Sequence, residues 1–193
     1  PTMLRLLALR WGPQSGHPEG WLILHMSKEI YLDHAAATPI DPRVQKSMTQ
    51  AMKLVGNPSS YNDAGRAAAE AITEARLTVA RFLGCYDDEA VFTGSGSEAN
   101  TLAIVGLAQA SDKKLDQIIT TSIEHKSVLV ACKSLNSSHK ILYAQVDERG
   151  MVSVDDIISK LTPATLLVSI MYANNEIGTI QPIRAVTKSI AAF

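Results

Sequence analysis

The chain has 193 residues, with 18 Lys and Arg against 19 Asp and Glu, a formal net charge of −1 and 46% hydrophobic residues. That length and composition suit a chain that buries a substantial core and exclude intrinsic disorder, while the balanced charge gives no electrostatic reason to expect nucleic acid or an anionic membrane surface as partner. The two cysteines, Cys85 and Cys132, cannot form a disulfide framework and point to a reducing, cytoplasmic setting; the longest apolar run, residues 165–171 with Ser169 inside it, falls far short of a membrane span.

Residues 1–25 differ from the rest of the chain. They hold both tryptophans, Trp11 and Trp21, and no acid before Glu19. A basic, acid-poor leader fits an organelle transit peptide, but an upstream extension outside the fold is the simpler reading, with Met26-Ser27-Lys28-Glu29 as the start of a domain over residues 26–193. Ile30-Tyr31-Leu32 is a short strand candidate. Residues 41–55 read as a helix capped by Asp41, with Pro42 at its first position, and Gly56-Asn57-Pro58-Ser59-Ser60 as a loop. Asp63 then caps a long helix in which Ala68, Ile72, Ala75, Val79 and Phe82 keep a helical spacing, and Gly84 ends it.

Strands are expected next at residues 90–93, 117–122, 140–146 and 165–173, with helices at 98–110, 125–135, 154–161 and 183–193. Strands separated by helices require crossover connections, so the fold class is α/β, a mostly parallel sheet with helices on both faces. The last helix has no stop signal before Phe193 and the first residue is not Met, so the sequence reads as part of a longer chain. In such sheets ligands bind beyond the carboxyl ends of the strands.

Three strand ends carry chemistry. Phe92-Thr93-Gly94-Ser95-Gly96-Ser97-Glu98-Ala99-Asn100 leaves a strand, passes two glycines and enters a helix, where free backbone N–H groups cradle a phosphate and Ser95 and Ser97 add hydroxyl donors. Without a following Lys-Ser or Lys-Thr it is not a Walker loop; Gly94, Gly96 and Ala99 also fit a short dinucleotide fingerprint, and a glycine-rich connection with an ordinary serine cap remains open. In Thr120-Thr121-Ser122-Ile123-Glu124-His125-Lys126-Ser127, His125 can stack on a flat ligand and exchange protons near neutrality, or be a satisfied structural histidine. Lys126 reads as a solvated lysine on a polar helical face. Met171-Tyr172-Ala173-Asn174-Asn175-Glu176-Ile177-Gly178 places three polar side chains directly after a buried strand, where they either form a turn or face a ligand oxygen.

With these segments the chain resembles the NifS-like cysteine desulfurases, pyridoxal phosphate enzymes of the class V aminotransferase family. The likeness runs from Ile30 to Phe193. It rests on Tyr31-Leu32-Asp33-His34-Ala35-Ala36-Ala37-Thr38-Pro39, Gly56-Asn57-Pro58-Ser59-Ser60, the 93–100 loop, Glu124-His125-Lys126-Ser127-Val128-Leu129 and Asn174-Asn175-Glu176-Ile177-Gly178, five segments in the family's order. The resemblance implies the incomplete large domain of a fold-type I enzyme, in its amino-terminal half.

By the same resemblance Gly96 and Ser97 bind the cofactor phosphate, His125 stacks on the pyridine ring and serves in proton transfer, and Asn175 hydrogen-bonds the ring's phenolic oxygen, with Asn174 its neighbour. This chain departs from the family in having Gly94-Ser95 for the usual Ser-Gly and Ser97 for the usual Thr, which keeps the hydroxyl. No metal is implied. The activity implied is removal of sulfur from L-cysteine, giving L-alanine and an enzyme persulfide for iron–sulfur cluster or thionucleotide synthesis. The implied partners are a second copy of the full-length chain and a sulfur-acceptor or iron–sulfur scaffold protein.

The family's Schiff-base lysine, in a Ser-x-His-Lys segment, and its nucleophilic cysteine have no counterpart here, so the isolated 193 residues are expected to be inactive. Cys85 reads as a loop thiol and Cys132 as a buried small apolar residue. Three alternatives stay open: a selenocysteine lyase, a nicotinamide-dinucleotide-binding domain with Glu124 as ribose acid, and a non-catalytic partner that docks on a full-length desulfurase.

Overall fold

The computed structural model describes residues 30–112 and 114–193; the expected extension at 1–25 and the start at Met26 lie outside the described residues. The chain divides into two units, the first ending at Lys46. In the described part of the first, Ile30, Tyr31 and Leu32 are exposed and form no strand. A strand needs a neighbour to take up its backbone hydrogen bonds, and none of the described residues pairs with this segment. Asp33 instead organises a turn, its carbonyl accepting from the amides of Ala36 and Ala37 and from the Tyr31 hydroxyl at 2.7 Å. Helix α1 (Pro42–Ala51) starts as expected, with Asp41 Oδ1 accepting from the Arg43 amide at 2.8 Å. The Arg43 guanidinium grips the same carboxyl and holds it below its ordinary value. The helix ends at Ala51, four residues before the expected stop.

In the second unit, α2 (Asp63–Leu83) is capped one residue earlier than expected: Asn62 Oδ1 accepts from the Gly65 amide at 2.8 Å. Asp63 becomes the first helical residue, where its charge faces the positive end of the helix dipole. Gly84 ends the helix at φ 70°, a left-handed conformation that glycine adopts without strain. Ala68 and Ala80 are buried, whereas Ile72, Val79 and Phe82 on the expected apolar stripe stay exposed. The expected strand at 90–93 is not formed, and the segment pairs with no described strand. Its ties run to α2, through the Arg76 guanidinium, which donates to the Ala90 carbonyl and lies 5.0 Å over the Phe92 ring.

A helical stretch follows in three parts: α3 (Gly96–Thr101), a π-helical turn (Leu102–Gly106) and α4 (Leu107–Ala110). The sheet consists of β1 (Gln117–Thr121), β2 (Lys140–Ala144) and β3 (Thr165–Val168), all parallel, in the order β2-β1-β3. Ile118 pairs with Ile141 and Ile119 with Val168. Between and after them come α5 (Lys126–Ser134), α6 (Val154–Lys160) and α7 (Ile183–Ala191). The expected α/β class and the parallel sheet are present, with strands and helices somewhat shorter than the sequence pattern suggested.

All five residues of β1 are buried, as a strand covered on both faces must be. Successive side chains point to opposite faces, and the two isoleucines show it. Ile118 packs with Ile104, Ala108, Val128, Ala131, Cys132 and Leu135 on one side. Ile119 packs with Ala144, Val152, Ile157, Leu161 and Val186 on the other. Because β2 and β3 flank β1 on opposite sides, the carboxyl end of β1 is a topological switch point, where the loops leaving β1 and β3 diverge and open a crevice.

Ile118 is fully buried, so Ile118→Ala should lower stability by about 2–5 kcal/mol. Urea unfolding of the full-length protein measures this; a loss below about 0.5 kcal/mol, the scale of an ordinary surface substitution, would contradict the placement of β1 at the centre of the core.

Candidate functional site

The crevice at the switch point is a cleft of about 400 Å³ lined by residues 122–126, from the loop after β1, and 174–177, from the loop after β3. Two of the sequence-predicted residues, His125 and Asn175, are brought together here. His125 is the N-cap of α5: its Nδ1 accepts from the Ser127 amide at 3.2 Å and lies 2.7 Å from the Ser127 hydroxyl. Asn175 is exposed, and its amide makes no hydrogen bond to any described residue, so both ends of the amide are free for a ligand.

Asn174 has a different job. Its Oδ1 accepts from the amides of Glu176 and Ile177 at 2.9 and 3.1 Å, and its Nδ2 donates to the Ile123 carbonyl at 3.0 Å. The side chain is spent on shaping its own turn and fastening it to the β1 loop. That leaves Asn175, the next residue, facing the cleft.

The residue that the sequence reading undervalued is Glu124. It is 7% exposed, and its Oε1 accepts from the Thr121 hydroxyl at 2.9 Å and from the Met171 amide at 2.9 Å. One carboxylate oxygen thus joins the end of β1 to the chain beyond β3, 47 residues later. Burial raises its carboxyl above the ordinary 4.5, outweighing the two hydrogen bonds that favour the charged form. Gln181, also buried, makes a similar join: its Nε2 donates to the Gly150 carbonyl at 2.7 Å and its Oε1 accepts from the Val152 amide at 2.9 Å. Gly150 itself has φ 73°, and a Cβ there would sit 2.6 Å from Ile177 Cδ1, against the wall of the cleft. No local sequence signal announced Glu124 or Gln181 as clamps, because their distant partners lie 29 to 47 residues away.

Gly96 and Ser97 do not line this cleft. They form the first turn of α3, capped by Ser95, whose Oγ accepts from the Glu98 amide at 3.2 Å. The Glu98 carboxylate in turn takes the Gly94 amide at 2.7 Å. The amides of Gly96 and Ser97 are helix-start donors with no acceptor within the helix. A Cβ on Gly96 would meet nothing within 4 Å, so the approach to these donors is open. Amides plus the Ser97 hydroxyl form a donor set suited to an anion such as a phosphate. The turn is tied to the cleft through Asn100, whose Nδ2 donates to the Ser127 hydroxyl at 2.9 Å.

Lys126 is exposed at the first position of α5 and borders the cleft. Cys132 is fully buried, and burial pushes its thiol up, as befits a packing residue. Cys85 is partly exposed just beyond Gly84. Among the described residues no helix is long and apolar enough to cross a membrane, and no three His, Cys, Asp or Glu side chains converge as metal ligands.

Comparison with known proteins bears on this arrangement. Residues 30–192 match the protein family described as Aminotransferase class-V. Over 165 residues the chain is 44% identical to a protein named cysteine desulfurase IscS from Dictyoglomus turgidum, covering 84% of this chain and 42% of that relative. Among solved structures, a NifS-like protein matches with a TM-score of 0.78 at 38% identity, covering 82% of this chain and 44% of that one. A structure of SspA in complex with cysteine matches at 0.77 and 37% identity, with coverages of 84% and 47%. The chain therefore spans less than half the length of each of these relatives.

The buried Glu124 makes a pH prediction. An acid whose folded-state value is raised binds more protons folded than unfolded, so its contribution to stability falls as pH rises from the ordinary carboxylate value through the raised one. Glu124→Gln keeps an acceptor and removes the titration, and should flatten that limb in urea-unfolding midpoints measured against pH. Profiles that superpose for variant and wild type would show that Glu124 does not titrate in this environment.

Proposed function

The chain belongs to the class V aminotransferase family, and from that membership we propose that it forms the cofactor-cradling part of a pyridoxal phosphate-dependent cysteine desulfurase. Its substrate is L-cysteine and its products are L-alanine and an enzyme persulfide, passed to an acceptor or scaffold protein for iron–sulfur cluster or thionucleotide synthesis; the full-length protein acts as a homodimer. The observation that carries this reading is the convergence of His125 and the unpartnered Asn175 on one cleft at the switch point of the sheet. The relatives named cysteine desulfurase and the structure of SspA in complex with cysteine support the choice of substrate.

The residues fit the cofactor's demands, which are a pinned dianionic phosphate, a ring held flat and hydrogen bonds that tune its electronics. The amides of Gly96 and Ser97 and the Ser97 hydroxyl would hold the phosphate. His125 would meet the ring. Asn175, whose amide has no partner among the described residues, would donate to the phenolic oxygen, and the turn built by Asn174 keeps it facing the cleft. When bound, the cofactor supplies an electron sink for bond cleavage at the substrate's carbons. His125 would then move a proton between the ring nitrogen it presents and the substrate. Glu124 holds the two loops in register while this happens. Lys126 is left without a covalent role, since it stands in the Glu-His-Lys motif rather than in a Ser-x-His-Lys segment.

Two variants of the full-length protein test the assignment. His125→Ala should weaken cofactor retention and slow alanine production from cysteine, and normal values for both would remove His125 from the site. Ser97→Ala should lower affinity for pyridoxal phosphate by one to two decades, the loss of a charge-assisted hydrogen bond of about 1.5–3 kcal/mol. Equilibrium titration of the apo-protein reads that change, and an unaltered dissociation constant would place the phosphate elsewhere.

A further inference from the structure

Asn100, Ser127 and His125 form a hydrogen-bonded line. Asn100 Nδ2 is 2.9 Å from Ser127 Oγ, and Ser127 Oγ is 2.7 Å from His125 Nδ1. The Ser127 amide adds a second contact to the same Nδ1, at 3.2 Å. An amide NH2 and a backbone N–H only donate, while a hydroxyl can do both and a neutral imidazole nitrogen does one or the other. The Ser127 amide can only donate, so its contact marks Nδ1 as an acceptor. With Nδ1 bare, the Ser127 oxygen accepts from Asn100 and its hydroxyl hydrogen turns to His125, giving Nδ1 two donors at once.

We propose that Asn100 and Ser127 are positioning residues that set the tautomer of His125, holding Nδ1 bare and placing the ring hydrogen on Nε2. Nε2 has no hydrogen-bond partner among the described residues, and the ring borders the cleft. The hydrogen that His125 presents to an occupant therefore sits at Nε2, while the Nδ1 edge is fastened to the first turn of α5. The same line starts on α3, one turn beyond Gly96 and Ser97, so the anion-binding turn and the histidine are held by one set of bonds. The significance for catalysis rests on the reading of His125 as the residue that meets the cofactor ring; the tautomer itself does not.

The test uses apo full-length protein labelled with 15N-histidine, in which long-range proton–nitrogen correlation spectra identify the protonated ring nitrogen. Wild type should show His125 with hydrogen on Nε2. Asn100→Asp replaces the donor with an acceptor, drawing the Ser127 hydroxyl away from the ring, and should shift population toward the Nδ1–H tautomer. In a Ser127→Ala background the line is cut, and Asn100→Asp should no longer change the tautomer. A wild-type ring with hydrogen on Nδ1 would overturn the proposal, as would an Asn100→Asp ring identical to wild type. An Asn100→Asp effect that persists in the Ser127→Ala background would also overturn it, because the aspartate would then be acting by its charge alone. Pyridoxal phosphate titration of the same samples reports on the cofactor reading separately, so either idea can fail without the other.

Discussion

The cleft depends on one buried carboxylate oxygen. Loops that leave neighbouring parallel strands on their way to helices on opposite faces have no backbone ladder between them. What keeps these two at a fixed separation is Glu124 Oε1, shared by the Thr121 hydroxyl and the Met171 amide. Burying the carboxylate is costly, and its raised titration reflects that. The two hydrogen bonds offset part of the cost, and leaving the Met171 amide unsatisfied would cost about 1–3 kcal/mol. Around this join the Asn174–Ile123 bond and the Gln181 bridge to residues 150 and 152 add further ties. The cleft is thus walled by loops, yet its walls are fastened like secondary structure.

Much of this was legible in the sequence, for identifiable reasons. β1, β2 and β3 each contain a short apolar stretch and pair with one another, and α5, α6 and α7 carry periodicity that the sheet faces satisfy. The expected strands at 30–32 and 90–93 have the same local composition but find no ladder partner among the described residues, and composition cannot supply one. The stripe on α2 shows the limit from the other side: its spacing is helical and the helix forms, while Ile72, Val79 and Phe82 remain exposed. At its start Asn62 takes the cap that Asp63 could equally have taken, a choice of one residue that local chemistry does not decide.

That His125 and Asn175 share one cleft could be anticipated, because both stand on loops beyond the carboxyl ends of neighbouring strands, four residues past β1 and seven past β3. The distinction between Asn174 and Asn175 could not, since it depends on which amide closes the turn. Glu124, Gln181 and the line from Asn100 to His125 depend on contacts between segments far apart in the chain. Such contacts leave no periodic trace, and only the fold reveals them.

The π-helical turn at Leu102–Gly106 carries a consequence for how this site can vary. Asn100, just ahead of it, points to Ser127, whereas Ile104 within it and Ala108 beyond it point into the core. A wide turn accommodates an extra residue, and one residue of α-helix corresponds to about 100° of rotation. The turn therefore acts as a phase adjuster between an anchored end and an aimed end. An insertion or deletion there would swing Gly96, Ser97 and Asn100 together relative to the core residue Ala108 beyond the turn. The aim of the Gly96–Ser97 turn is in this sense written in the pitch of its helix as much as in the residues at its tip.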